Sequence, residues 1–199
     1  MTQKIYQTAI AAFDRANAED PNMEMVDGRE YPKELLYAQR MTEMQERYAP
    51  EASEAVKLAV RAQHIQRWKI PRSDYPMDKP NYMLWRTTLY KFHAETAGEL
   101  MRQAGYDDEM IARTKLIISK KNLKSDPETQ LMEDIVDLVF IEHYMIGFAE
   151  QHPEYDEAKW IVIIKKTWNK MSSSAHEFAL AGKINLPEAL VPLILKAVQ

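Results

Sequence analysis

Three carboxylates stand at the start of a long apolar run in the second half of the chain. The run extends from Ile135 to Phe148, and Glu133, Asp134 and Asp137 lie at its beginning or within it. Because apolar residues cover every side of such a helix, we expect it to be central and largely buried. An unpaired carboxylate there costs several kcal/mol, so these acids must meet cations, a histidine or a metal ion. The sequence therefore predicts a polar site inside a helical core.

The spacing of these acids brings their charges together on one side of the helix. Glu133 and Asp137 are four residues apart, and Asp134 and Asp137 are three apart. Mutual repulsion at this spacing raises the pKa of at least one carboxyl group unless cations lie close. We therefore predict that Glu133 and Asp134 are catalytic carboxylates. The alternative is a structural ion-pair network with Arg67, Arg86 or lysine side chains.

A cationic segment lies in the first half of the chain. It reads RAQHIQRWKIPRSDYP and contains His64, Arg67 and Arg72. Helical spacing predicts that His64 and Trp68 share one face, with Arg67 beside them. Because arginine presents a planar fork of donors, we predict that Arg67 and Arg72 bind a phosphate or carboxylate. Two other roles stay open for these arginines, neutralisation of the buried acids and a solvated charged helix end.

The next predicted helix carries a second histidine. Arg86, Tyr90 and His93 recur at spacings of four and three residues, so they share one helix face. Arg86 joins the two preceding arginines as a predicted anion-binding residue. His93 lies at the edge of the core, where a lone histidine is usually a hydrogen-bonded structural residue. With His64 and a buried carboxylate available, it is also a candidate ligand for zinc, manganese or iron.

Composition is typical of a soluble all-α protein of a reducing cytosol. The chain has 199 residues, and we expect a single compact multi-helix domain over residues 1–199. Five glycines leave few turns between strands, and the absence of cysteine excludes thiol catalysis and cysteine-ligated zinc. The net charge of -4 and the dispersed basic residues argue against nucleic-acid and membrane partners. We therefore expect a cytoplasmic location, and the oligomeric state stays open.

Proline, glycine and capping residues mark the ends of the predicted helices. Gly105 ends the longest helix, Asp107 caps the next one, and Pro127 begins the helix that enters the apolar run. The segment Ile161–Ile164 lacks hairpin signals and is predicted to be helical, whereas residues 19–32 are expected to be irregular. Helices are expected at about residues 2–18, 33–49, 51–68, 81–103, 107–120, from 127 into the apolar run, 156–171, 172–181 and 187–198, the last beginning at Pro187.

One further segment resembles a nucleotide-binding motif. Lys170 to Ser174 reads KMSSS, which is similar to the lysine-rich ATP-binding loop of class I aminoacyl-tRNA synthetases. That fold also requires a companion histidine motif and an alternation of strands and helices, and this sequence has neither. We therefore reject this resemblance.

A combination of five segments resembles the uncharacterised family called domain of unknown function 4202. The resemblance spans most of the chain, but it implies no known activity. The segments are DPN from Asp20, HIQRWKIPRSDYPM from His64, YMLWR from Tyr82, KFHAE from Lys91 and DPETQLMEDIVDLVF from Asp126.

A second resemblance is to the HD superfamily of helical, metal-dependent phosphohydrolases. His64, His93 and Asp134 occur in the order of that family's metal ligands, and PETQLMEDIVDLV is similar to its last aspartate segment. The resemblance implies an HD-like helical core and a divalent ion, which is Mn, Fe, Ni, Co, Zn or Mg. Ala94 occupies the position of the aspartate in the family's His-Asp doublet, so a fourth ligand must come from Glu95, Glu133 or another residue.

Two functions therefore follow as expectations. The first is a divalent-metal-dependent hydrolase of a small phosphorylated or otherwise anionic metabolite. In it His64, His93 and Asp134 hold the ion, Glu133 orients the attacking water or accepts its proton, and the anion is bound by Arg67, Arg72 and Arg86. The alternative is a non-enzymatic helical binding or scaffold module with a buried network of arginine, histidine and carboxylate side chains.

Overall fold

Helices dominate the structure, as the sequence predicts. The computed structural model describes residues 2–186 and 188–198, and this part of the chain contains ten α-helices and one two-stranded sheet. Contacts divide the chain into two units, the first ending at Met132 and the second beginning at Glu133. Within the described residues, no helix is both long enough and apolar enough to cross a membrane. The all-α prediction is confirmed, and the expectation of a single domain stays a prediction.

The described part of the first unit contains five complete α-helices and a short sheet. The elements are α1 (Thr2–Ala18), β1 (Met23–Val26), β2 (Arg29–Pro32), α2 (Lys33–Tyr48), α3 (Glu54–Ala62), 3₁₀ turns at Arg67–Lys69 and Arg72–Asp74, α4 (Lys79–Ala104) and α5 (Asp108–Ile118). Helix α4 packs on α1 and α5, and α3 packs against α2 and α5. The buried apolar side chains include Phe13, Met41, Leu58, Leu89 and Ile117. Helix α6 (Pro127–Val139) begins in this unit and continues into the second.

A β-hairpin replaces the irregular stretch that was expected before α2. Strands β1 and β2 pair antiparallel, with Val26 opposite Arg29. The two residues between them, Asp27 and Gly28, have φ values of 49° and 76°. Asp-Gly is a favoured pair for a two-residue hairpin turn because both positions must adopt positive φ. The expectation of an irregular stretch was therefore wrong, although its sequence carried a hairpin signal.

Helix α3 is shorter than the sequence suggests. It ends at Ala62, and Gln66 adopts a left-handed conformation with φ of 51°. The backbone N–H of Gln66 donates to the side-chain oxygen of Asn17 at 2.9 Å, which fixes the chain in this turn. The prediction that His64 and Trp68 share a helix face is therefore wrong, because neither residue lies in an α-helix.

Capping side chains set the starts of the later helices in the first unit. Asp107 accepts from the N–H of Met110, and Gly105, with φ of 103°, ends α4, as predicted. Asp126 accepts from the N–H of Thr129 at 2.8 Å and binds both terminal nitrogens of Arg113. These bonds hold the pKa of Asp126 below its ordinary value, at about 2, the hydrogen bond from Arg113 being the largest cause.

The second unit contains the remainder of the chain. In the apolar run, α6 continues directly into a π-helical turn at Phe140–Tyr144. The elements after this turn are α7 (Met145–Glu150), α8 (Glu157–Trp168), α9 (Ser173–Leu180), a 3₁₀ turn at Glu188–Leu190 and α10 (Val191–Val198). The segment Ile161–Ile164 is helical, as predicted, and α10 packs on α8. Pro187, the predicted start of the last helix, lies outside the described residues.

Replacing Asp126 with alanine is expected to lower the free energy of unfolding by about 1 to 3 kcal/mol. The variant loses a helix cap and leaves Arg113 without this carboxylate. Urea denaturation followed by circular dichroism measures the change. Asp74→Ala, which removes an exposed carboxylate, is the control and should change the free energy by less than about 0.5 kcal/mol. Equal stability of the two variants would contradict the role assigned to Asp126.

Candidate functional site

Four polar or aromatic side chains surround His64 in the first unit. The ring of Tyr37 stacks on the imidazole with centroids 4.2 Å apart. Arg67 Nη1 lies 3.2 Å from His64 Nε2, and because a guanidinium only donates, Nε2 is the acceptor. The proton of the neutral ring therefore sits on Nδ1, which faces Glu34 Oε2 at 3.3 Å. His93 lies next to His64, with ring centroids 5.9 Å apart. We call Glu34, Tyr37, His64, Arg67 and His93 the histidine cluster.

His93 presents an unused nitrogen inside the protein. Its Nδ1–H donates to the carbonyl oxygen of Ile65 at 2.8 Å, which fixes the tautomer and leaves a lone pair on Nε2. The residue is 1 % exposed, and Nε2 has no hydrogen-bond partner among the described residues. Burial, followed by the neighbouring His64, lowers the pKa of His93 to about 3. The ring is therefore neutral at physiological pH and can act as a ligand or as an acceptor.

Glu34 is the carboxylate of the histidine cluster, and it is nearly buried. Burial raises its pKa to about 7, against a smaller opposing effect of Arg67, whose Nε lies 4.0 Å from Glu34 Oε1. A carboxyl group with this pKa exchanges its proton near neutral pH, which is the property required of a general acid or base.

Two side chains near the end of α1 hold Glu34 in place. Asp20 Oδ2 accepts from the backbone N–H of Glu34 at 3.0 Å, and its other oxygen accepts from Asn22. Asn17 donates to the Glu34 carbonyl oxygen at 3.4 Å and accepts from the N–H of Gln66. Asn17 is 1 % exposed, so its amide makes both of its bonds from a buried position. They join α1, the start of α2 and the turn that carries His64.

Cationic side chains create a positive potential at His64. Burial is the largest cause that lowers the pKa of His64 well below its ordinary value, and the charges of Arg67, Lys120, Lys33 and Arg86 lower it further. The guanidinium of Arg67 lies over the ring of Trp85, 4.8 Å from its centroid. Because the imidazole is neutral, the positive potential that an incoming anion meets comes from these surrounding side chains.

Arg86 and Arg72, the other predicted anion-binding residues, have different surroundings. Arg86 hydrogen-bonds to the hydroxyl of Tyr90, and Lys120 lies 5.8 Å from the centroid of the same ring. Arg72 donates to the carbonyl oxygens of Tyr75 at 2.9 Å and Pro76 at 2.7 Å, which ties together the loop before α4. Arg86 is thus placed among the cations that act on His64, whereas Arg72 is engaged with its own loop.

The three acids of the apolar run have their own partners in the second unit. Asp134 accepts from the backbone N–H of Ser172 at 2.7 Å and from its hydroxyl at 2.5 Å. Lys170 donates to Glu133 at 3.0 Å and to Asp137 at 2.5 Å. All three acids are 2 % exposed. Burial alone lowers the pKa of Lys170, but the charges of Asp137 and Glu133 raise it above its ordinary value. We call these five residues the acidic cluster.

Comparison with known proteins identifies a family. The sequence profile of the domain of unknown function DUF4202 matches residues 7–194. The chain belongs to this family. Searches of curated proteins and of solved structures found no match. The DUF4202 match covers both the histidine cluster and the acidic cluster, and the resemblance to the HD superfamily stays a prediction.

In this DUF4202 chain the predicted site residues occur in both clusters. His64, His93 and Arg67 come together in the first unit, as the sequence suggested, whereas Glu133 and Asp134 belong to the acidic cluster of the second. Over residues 2–186 and 188–198, no group of three or more histidine or acidic side chains is arranged to hold a metal ion. The sharing of one ion by His64, His93 and Asp134 therefore stays a prediction, as do the catalytic roles of Glu133 and Asp134.

Sequence reasoning did not identify Glu34 and Lys170 as members of these clusters. Glu34 looks like an ordinary acid in the first turn of α2, and nothing local indicates that it is buried. Lys170 was considered only as part of the rejected KMSSS motif, although a buried acidic helix requires cations. The DPN motif was a usable signal for the position of Glu34, because its first residue, Asp20, accepts a hydrogen bond from the backbone N–H of Glu34.

Glu34→Gln is expected to change how the stability of metal-free protein depends on pH. The folded-state pKa of about 7 exceeds the ordinary value of 4.5, so the folded protein binds this proton more tightly. The stabilisation is complete below pH 4.5 and is lost as the pH rises towards 7. Relative to the variant, the wild type should therefore lose about 2 to 3 kcal/mol over this interval. Urea denaturation at several pH values with a chelator measures the difference.

The control for this measurement is Glu30→Gln, which neutralises an exposed acid of the hairpin. Its stability should follow that of the wild type at every pH. A constant difference between wild type and Glu34→Gln across the interval would show that Glu34 has an ordinary pKa. Both histidines are common to the three proteins, so their own titration largely cancels in the comparison.

Lys170→Met is expected to destabilise the protein by about 3 kcal/mol, because Glu133 and Asp137 lose a cation while remaining buried. The loss should be largest near neutral pH and should shrink in acid, where the carboxylates become protonated. Thermal and urea denaturation with and without a chelator measure this effect. Lys165→Met, at an exposed position of α8, is the matched control. A chelator-dependent loss would instead indicate that a metal ion holds the acidic cluster.

Proposed function

We propose that the histidine cluster binds a small phosphorylated or otherwise anionic metabolite and that the protein is a divalent-metal-dependent hydrolase of that ligand. The observation that carries this proposal is the buried Nε2 lone pair of His93, which lacks a hydrogen-bond partner among the described residues, beside the neutral ring of His64. Buried nitrogens of this kind are costly unless a ligand uses them.

His64 and His93 offer two of the ligands that a divalent ion of the transition series requires. Two neutral imidazoles are common ligands for such ions, and both rings have a lone pair on Nε2. His93 is anchored by Ile65, and His64 by Glu34, through their Nδ1–H groups. This is the outer arrangement that orients ligating histidines in metal sites. A divalent ion held there would supply an acidified water molecule as nucleophile.

Arg67 and the cations around the histidine cluster bind the anionic group of the ligand. Arg67 donates to a neutral imidazole in the free protein, and a phosphate oxygen offers it a stronger, charge-assisted bond. Transfer of Arg67 to the anion frees Nε2 of His64. Arg86 and Lys120 add positive charge near the same ring. Glu34, with a pKa of about 7, holds or releases a proton beside His64 during the reaction.

A second function is favoured by the closed bonding of both clusters. Arg67 occupies His64 Nε2, and the acids of the second unit are engaged by Lys170 and Ser172. These bonds are consistent with a non-enzymatic binding module in which the networks of arginine, histidine and carboxylate side chains stabilise the folded protein. Such a module binds the anion through Arg67 but neither retains a metal nor turns over a substrate.

The hydrolase requires metal binding that is coupled to anion binding. The positive potential at His64 opposes a divalent ion, so phosphate should tighten the binding of manganese or zinc, and the metal should tighten phosphate by the same factor. Isothermal titration with each ligand alone and with both measures this coupling. Arg67→Ala should abolish the coupling, and the exposed Lys69→Ala should preserve it.

Activity is tested by a phosphate-release screen with manganese, iron, nickel, cobalt, zinc and magnesium. We expect metal-dependent turnover that falls at least about 100-fold in His64→Ala and in His93→Ala. His152→Ala, a histidine of the second unit, is the control and should retain activity. Phosphate binding without metal uptake or turnover would support the binding module, and activity that survives in both histidine variants would refute the hydrolase.

A further inference from the structure

A groove of about 800 Å³ lies along the packed helices α4 and α5 of the first unit. Its volume is within the range of small-molecule sites. Tyr90 lines the groove, and the predicted site residues His64, His93, Arg67, Arg72 and Arg86 do not. The wall from α4 consists of Thr87, Tyr90, Lys91, Ala94, Glu95 and Arg102, and the wall from α5 and the residues after it consists of Asp108, Ile111, Ala112, Lys115, Leu116, Ser119 and Lys121.

Ion pairs show which residues face each other across the groove. Near the turn that joins the helices, Arg102 and Asp108 lie 3.5 Å apart. Midway along, Lys115 and Glu95 pair at 2.7 Å. The two helices therefore run antiparallel, and their cations at these two levels are matched by acids. The remaining end of the groove is the one farthest from the turn.

That far end carries positive charge on exposed lysine side chains. Lys91 and Lys121 line it, both are exposed, and neither forms an ion pair within the described part of the chain. Lys120 adds a third cation near the ring of Tyr90. The hydroxyl hydrogen of Ser119 is already donated to the carbonyl oxygen of Lys115, so the lysine side chains and not this hydroxyl are the groups that can contact an anion. The ligand group that this end favours is an anion.

The floor of the groove is apolar. Ala94 is 2 % exposed and Ile111 is 3 % exposed, with Leu116 beside them. Gly98 has no side chain, so the aliphatic stem of Lys115 can cross α4 at this position. A Cβ here would lie 2.9 Å from Lys115 Cδ. The stem therefore lies flat against the helix while its ammonium group reaches Glu95. Small residues on α4 thus keep the groove open between the two helices.

We propose that the α4–α5 groove binds a small anionic amphiphile, with the anionic head between Lys91 and Lys121 and the apolar body along Ala94, Ile111 and Leu116. The ligand class comprises fatty-acid carboxylates and aromatic sulfonates or carboxylates of similar length. This site is separate from the hydrolase proposal and does not depend on it.

Anilinonaphthalene sulfonate is the probe, because it combines one anionic group with an apolar body that fluoresces when it leaves water. Titration of the full chain should give a saturable signal with one site, which dodecanoate displaces. The double variant Lys91→Gln/Lys121→Gln should bind the probe about tenfold more weakly. The control Lys4→Gln/Lys165→Gln removes two exposed lysines elsewhere and should bind with the wild-type Kd.

Ala112→Trp provides a steric test that retains both lysines. Ala112 is exposed, so the substitution leaves the core intact and fills the groove, and probe binding should be lost. Phenylnaphthylamine, which lacks the sulfonate, should bind equally weakly to the wild type and the lysine variant. An unchanged Kd for the anionic probe in both the lysine variant and Ala112→Trp, with unchanged circular dichroism, would overturn the proposal, as would a signal that does not saturate.

Discussion

The buried amide of Asn17 is the interaction on which the candidate site depends. It joins the carbonyl oxygen of Glu34 to the N–H of Gln66, two groups that lie far apart in the sequence. Without it, the start of α2 and the left-handed turn after α3 lose a shared backbone anchor, and the contacts of Glu34 with His64 and Arg67 must hold them together. A buried amide that satisfies two backbone groups is costly to replace, because an apolar substitute leaves both of them unpaired.

Burial then determines the charge of the groups that Asn17 brings together. Two histidines lose their positive charge and one carboxylate is held near half-ionisation, so the cluster is almost neutral apart from its arginine. The net positive potential comes from side chains around the cluster rather than from the imidazoles. The arginine and lysine side chains therefore attract an anion, while the neutral histidines keep their lone pairs for a ligand.

Local signals in the sequence were sufficient for most of the helices and for part of the site. Asp107 and Gly105 marked helix ends correctly, and the spacing of Arg86, Tyr90 and His93 follows from one regular helix. The end of α3 was not predictable in this way, because it depends on a bond from Asn17 to a residue 49 positions later. Glu34 was missed for the same reason, since its burial results from tertiary packing. The need for polar partners at Asp134 followed from desolvation alone, but Ser172 as the partner required the fold.

The pairing of Asp134 with Ser172 also bears on how the second unit folds. The two residues are 38 positions apart, so forming their bonds closes a long loop at a considerable cost in chain entropy. Lys170 and Glu133, which are 37 positions apart, close almost the same loop. Whichever contact forms first incurs most of the entropic cost, and the other then forms at little further expense. The acidic cluster should therefore assemble in one cooperative step, late relative to its helices.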